Sequence, residues 1–250
     1  MVNSVSSGMS EVDKLLGGGL LPGSAYLVEA EPGTEELSFI AAFLDQGLLE
    51  GDICGLFDYD VSHEQIIARL SSLGVNMKRG MDSGSMVVAD MWGEGDYDPE
   101  RRGPVLKAGN VADPNSLLRV FHDMAEIHKK GLEVSKFNGS RSVIYSLSSQ
   151  IMRYRFEPTY KLTKASIDMI RQANSIVLSI LSPKMVEETT IVAFEHLHDG
   201  IIVLSLKDIE KNRFQRFIRV KQSPISGYFT DEIGYEIVDN RPHLVSSLGR

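Results

Sequence analysis

Short apolar runs alternate along this chain with longer amphipathic stretches, the pattern of a mostly parallel β-sheet covered by helices on its faces. Strands are predicted near 24–29, 53–57, 85–89, 142–147 and 175–181. Helices fall between them at 36–50, 62–72, 115–131 and 160–173, the second opened by Ser62 as an N-cap with Glu64 in its first turn. A further helix near 185–198 leads to two β-rich runs, 200–206 and 213–221, joined by the polar turn Lys207 to Asn212. The chain should therefore be α/β with a C-terminal antiparallel hairpin. Residues 91–114 carry Gly and Pro without periodicity and read as a long surface loop. Neither a repeat nor a composition shift divides the chain, so 1–240 is read as one domain and 241–250 as a disordered tail poor in apolar residues.

The bulk numbers narrow the function classes. With 250 residues, 42% of them hydrophobic, the chain can bury one large core. A net charge of −8 argues against non-specific nucleic-acid binding, which rewards clustered Lys and Arg. Cys54 is the single cysteine and lies in an apolar run, so disulfides and cysteine-based metal sites are excluded. The N-terminus lacks a basic segment followed by an apolar one, and no uncharged apolar run approaches about 18 residues. A soluble, cytoplasmic protein without a membrane partner is expected. His63, His122, His128, His196 and His198 show no metal-ligand spacing and read as ordinary surface or packing residues.

Residues 28–39 hold the place of a phosphate-binding loop without its chemistry. A strand-like run, Ala25 to Val28, precedes them and a helical run, Phe39 to Leu44, follows. A Walker A loop reads G-x-x-x-x-G-K-S/T: glycines let backbone N–H groups wrap the phosphates, the lysine neutralises charge, and the hydroxyl holds Mg²⁺. The four specified positions here are Ala30, Glu35, Glu36 and Leu37. Pro32, Gly33, Thr34, Glu35, Glu36, Leu37 and Ser38 thus form a vestigial loop, with Thr34 as the expected N-cap of the following helix. Negative charge at a helix N-terminus can be satisfied within the chain. A divalent cation held with Asp58 and Asp60 is the less favoured reading.

The order of features resembles the KaiC-like family of RecA-type ATPases, its archaeal single-domain members in particular. The likeness begins at Ser7 to Gly23, with Leu15-Leu16-Gly17-Gly18-Gly19 at its centre, continues through Asp60-Val61-Ser62-His63-Glu64-Gln65, and ends with Asp199 to Leu204 and Arg219 to Pro224. It covers roughly 5–238 and implies a RecA-like fold, with ATP and Mg²⁺ as the family's cofactors. It also implies a hairpin whose basic residues reach a neighbouring subunit. The departures matter as much. The family's Walker B aspartate falls on Tyr145, and of its paired catalytic glutamates one becomes Asp60 and the other Val61. With Glu36, Asp60 and Tyr145 at degenerate positions no catalytic residue is expected, and the resemblance implies a pseudo-ATPase acting as a regulatory or structural binding module. A divergent ATP binder or weak ATPase is the alternative.

Arg213, Gln215, Phe217, Arg219 and Lys221 share one face if 213–221 is extended. Such a basic stripe is either an edge strand protected by charge or a subunit contact, nucleic acid being least favoured. If neighbours pack as in the family, Glu31, Glu35 and Glu36 would meet Arg213, Arg219 and Lys221, so a homo-oligomer is expected besides an unidentified protein partner.

Overall fold

Five strands are buried at every position because helices cover both of their faces: β1 (Ala25–Ala30), β2 (Ile53–Asp58), β3 (Met86–Asp90), β5 (Ser140–Tyr145) and β6 (Ile176–Leu181). The computed structural model describes residues 3–92, 103–108, 114–134, 136–211 and 213–245. Their ten strands form one sheet of order β10-β9-β8-β7-β1-β6-β5-β2-β3-β4. Every pairing from β7–β1 through to β3–β4 is parallel. The other half is antiparallel, built from β7 (Gly200–Glu210), β8 (Arg213–Gln222), β9 (Ile233–Val238) and β10 (Arg241–Leu244).

Alternation along the strands sends side chains into two cores. On one face α1 (Ser10–Leu15), α2 (Glu36–Glu50), α3 (His63–Ser72) and α4 (Met77–Ser83) pack over Val28, Leu56, Val88 and Val143. On the other, α5 (Pro114–Glu133), α6 (Leu147–Tyr154), α7 (Phe156–Gln172) and α8 (Glu188–Glu195) pack over Leu27, Phe57, Ile144 and Val177. This is the mostly parallel sheet with a terminal antiparallel hairpin that the sequence predicts.

Several particulars differ. Strand β5 starts two residues before the predicted 142, because Arg141 is fully buried yet satisfied by Asp52, Glu50 and the Ser6 carbonyl. Leu147 belongs to α6, whose start is capped by the Ser146 hydroxyl accepting from the Ser149 amide. The expected loop at 91–114 contains β4 (Val105–Lys107), paired in parallel with β3, while most of that span lies outside the described residues. The helix expected near 185–198 divides into a 3-10 turn at Pro183–Met185 and α8. The hairpin strands run on through the expected turn to Glu210, and Asn212 lies outside the described residues. The reading of 241–250 as tail is corrected at its start: Arg241–Leu244 closes the sheet against β9, and Arg241 pairs with Asp45 of α2. Residues 246–250 are outside the described part.

Candidate functional site

At the C-terminal ends of the parallel strands, loop 31–35 joins β1 to α2. Two left-handed residues shape it, Gly33 at φ 87° and Glu35 at φ 59°. For Glu35, which occupies the second glycine position of a Walker A loop, this backbone costs about 1–2 kcal/mol. Thr34 does not cap α2. Its hydroxyl and amide both donate to the Glu31 carbonyl, at 2.7 and 3.2 Å, so it closes the loop on itself. The N-cap position belongs to Glu35, without a side-chain cap. Pro32 and Gly33 are exposed, Leu37 packs against the α2-side core, and Ser38 is buried in the first turn.

Three carboxylates of the loop find partners in the same chain. Glu31 accepts from the Leu206 amide at 3.0 Å and faces the Lys184 ammonium at 3.3 Å. Arg216 donates from Nε to the Gly33 carbonyl at 2.9 Å and from Nη2 to Glu35 at 3.3 Å. Glu36 accepts from the Tyr145 hydroxyl at 3.3 Å. Burial, with the Glu36, Asp60 and Asp58 charges behind it, holds the Tyr145 phenol well above its ordinary value, so it remains a donor. Tyr235 donates to the Thr34 carbonyl from β9.

Beside the loop the strand register lines up Asp90, Asp58 and Tyr145 on one face of the sheet. Asp58 Oδ1 accepts from the amides of Asp60 and Val61 at 2.9 and 3.3 Å, whereas its buried Oδ2 has no partner. Burial pushes this carboxyl up to about 7, against the two amide bonds and with Asp60 and Asp90 adding to it. Asp60 accepts from the Ser146 hydroxyl at 3.1 Å. Asp90 takes His63 Nδ1 at 2.6 Å and the Trp92 amide at 3.1 Å. The arrangement is rich in acceptors and holds its donors internally. Among the described residues no group of three or more His, Cys, Asp or Glu could hold a metal ion.

Strand β8 separates Arg213, Arg219 and Lys221 from the loop. Ile218 and Val220 enter the core, while Arg219 and Lys221 alternate outward. Lys221 is bonded to Glu195 of α8, and Arg213 lies 3.8 Å from Glu210 across an irregular pairing. Thus the basic residues singled out in the sequence do not meet the loop within the chain. Arg216, on the inward parity of the same strand, does. Sequence reasoning missed it, along with Lys184 and Tyr235, because only the fold brings them to the loop: Arg216 by its register with Leu206 and Tyr235, and Lys184 by its contact with Glu31.

Comparison with known proteins gives this geometry its family. A family model for the KaiC ATPase matches residues 5–242. A 74-residue stretch is 36% identical to the circadian clock oscillator protein KaiC of Parathermosynechococcus lividus, covering 30% of this chain and 14% of that protein. Another of 84 residues is 31% identical to the circadian clock protein KaiC3 of a Synechocystis strain, covering 34% and 17%. The chain thus matches less than a fifth of the length of these relatives. Among solved structures, a KaiC-like protein from the archaeon Pyrococcus horikoshii OT3 has the same fold, with a TM-score of 0.76 at 20% identity over 98% of this chain and 100% of that one. Since the family match runs from ahead of the three-glycine segment, through the loop and the hairpin, to the last strand, the chain belongs to the KaiC ATPase family.

Proposed function

We propose that this chain is a KaiC-family pseudo-ATPase, a regulatory or structural binding module that neither holds Mg²⁺-ATP with useful affinity nor hydrolyses it. The observation that carries the reading is the Glu36–Tyr145 hydrogen bond. A carboxylate stands where the motif needs the lysine that neutralises phosphate charge, and a phenol stands where the family resemblance places the Walker B aspartate. A unit-charge pair at 4 Å contributes about 4 kcal/mol at an effective dielectric of about 20, and here its sign is reversed. That is comparable with the roughly 8 kcal/mol of a micromolar ligand. The donor set agrees: Arg216 occupies the Gly33 carbonyl, and Glu31 and Glu35 surround the loop with negative charge. These residues do not fit a polyphosphate.

Isothermal calorimetry with Mg²⁺-ATP tests the reading. No binding is expected, and a dissociation constant below about 10 μM would overturn it, since that demands about 7 kcal/mol from a site of the wrong charge. The partner side of the proposal is self-association through the outward hairpin face carrying Arg213, Arg219 and Lys221, together with a protein partner still to be identified. Glu31, Glu35 and Glu36 are the proposed acidic counterpart on a neighbour, and to meet that face they would exchange the partners they have within their own chain.

A further inference from the structure

Strand β1 sends Ala25, Leu27 and Glu29 to the sheet face covered by α5–α8, and the first two join the core there. Glu29 lies between Leu181 of β6 and Val203 of β7 and is only 8% exposed. Among the described residues no donor reaches its Oε1. What it meets is a second carboxyl, that of Glu195 in the last turn of α8. Glu195 is bonded to Lys221 of β8, and Arg219 of the same strand adds its charge. From the other neighbouring segments, His196 acts on Glu195, while Glu31 is taken up by Lys184 and the Leu206 amide. Helix α8 has few other holds: Phe194 is buried against Phe156 and Tyr160, and Ile191 is half-buried.

We propose that Glu29 and Glu195 share one proton that fastens the end of α8 to the sheet, and that losing it as the pH rises through neutrality releases that end. With the proton in place Glu29 Oε1 donates to Glu195, Glu195 keeps Lys221, and these three groups together are neutral. Without it two carboxylates repel each other in a buried site and Glu29 Oε1 has no donor. The proton sits on Glu29. Burial first, and then the bond and charge of Glu195, push that carboxyl up to about 7 against the pull of Lys221 and Arg219. Against burial, which would raise it, the bonds with Glu29 and Lys221 hold Glu195 below its ordinary value. Once α8 lifts and water reaches Glu29, its value returns to the ordinary 4.5. The closed form therefore binds the proton more tightly, so opening becomes easier as pH rises between 4.5 and 7 and levels off above.

Amide hydrogen exchange of the full chain, corrected for intrinsic rates, tests the proposal. The amides of His196, Leu197 and His198 close the end of α8 on the Val192, Phe194 and Glu195 carbonyls. They should exchange faster than those of β1, through a local opening whose equilibrium constant rises about tenfold from pH 6 to pH 8. In Glu29→Gln, where the side-chain amide donates to Glu195 as the proton does, that rise should be at least about fivefold smaller. His196 and Asp58 are common to both proteins, so whatever they contribute cancels. An opening constant equal at the two pH values, the same rise in Glu29→Gln, or α8 amides that exchange no faster than those of β1 would each overturn the assignment. If Glu29→Gln fails to fold, carbon-13 titration of the wild-type Glu29 carboxyl decides the matter: a midpoint near 7 supports the shared proton, and one near 4.5 refutes it.

Discussion

Asp58→Asn should stabilise the protein at alkaline pH and lose that advantage in acid. Asp58 is fully buried, and its carboxyl is raised from the ordinary 3.8 to about 7, chiefly by burial. The unfolded chain therefore releases this proton near 3.8 and the folded chain near 7. Between those values stability falls as pH rises. The penalty is complete above 7 and absent below 3.8. A gap of about three pH units corresponds to about 4 kcal/mol, of which roughly 1.6 is present at pH 5. Asparagine retains the Oδ1 acceptor for the Asp60 and Val61 amides but puts an unpartnered NH₂ where Oδ2 stands, at a cost of about 1–3 kcal/mol. Because that cost is the same at both pH values, it cancels when they are compared. Urea unfolding of wild type and Asp58→Asn at pH 5 and pH 8 should show the variant's relative stability rising by about 2–3 kcal/mol between them. Glu29, also raised to about 7 by burial and the Glu195 carboxyl, titrates in both proteins and drops out of the difference. A relative stability unchanged within about 0.5 kcal/mol would show that Asp58 ionises freely and that the orphaned oxygen is solvated.

Three further outcomes are expected. Glu36→Lys alone should leave ATP turnover undetectable, because metal binding and water activation are separate contributions to phosphoryl transfer and Tyr145 and Val61 supply neither; phosphate release above background in a steady-state assay would contradict this. Arg141→Ala should cost about 3–5 kcal/mol in denaturant unfolding, since it strands Asp52 and Glu50 beside a buried void, and a loss below about 1 kcal/mol would sink the argument. Arg213→Ser/Arg219→Ser should weaken self-association, and salt should weaken it in the wild type, as sedimentation can measure; a wild type that stays monomeric at about 100 μM in low salt leaves the stripe a solvated strand.

How far the sequence reaches depends on whether a signal is local. The buried parallel strands were legible because both of their faces are apolar, and so was α3, which Ser62 caps as expected. Helix α6 was not, because Leu147-Ser148-Ser149-Gln150 reads as a polar break until Ser148 is seen bonded to the Ser182 backbone of the neighbouring strand end. Strand β10 failed for a similar reason. Arg241 and His243 look like tail residues, yet the first pairs with Asp45 and the second faces Glu11. In the site, the loss of the lysine position was visible at Glu36, whereas its hydrogen bond with Tyr145 spans 109 residues and needed the fold. Arg216 was not singled out in the sequence, because only the hairpin register and the fold show that it reaches the loop.

The loop's charges explain why those long-range partners matter. A phosphate loop is positive and depends on an anionic ligand for its complement, whereas this one is negative and must find cations and donors or remain destabilised. The chain supplies them from four places remote in sequence: Lys184 after β6, the Leu206 amide of β7, Arg216 of β8 and the Tyr145 hydroxyl at the end of β5. The exposed pairs among them contribute about 0–1 kcal/mol each, too little to hold the loop by attraction alone. Their larger effect is geometric. Arg216 bonds the Gly33 carbonyl and the Glu35 side chain at once, so it holds the two left-handed residues of the loop together and offsets the backbone strain at Glu35. A loop fixed in this way has its shape set by groups of its own chain.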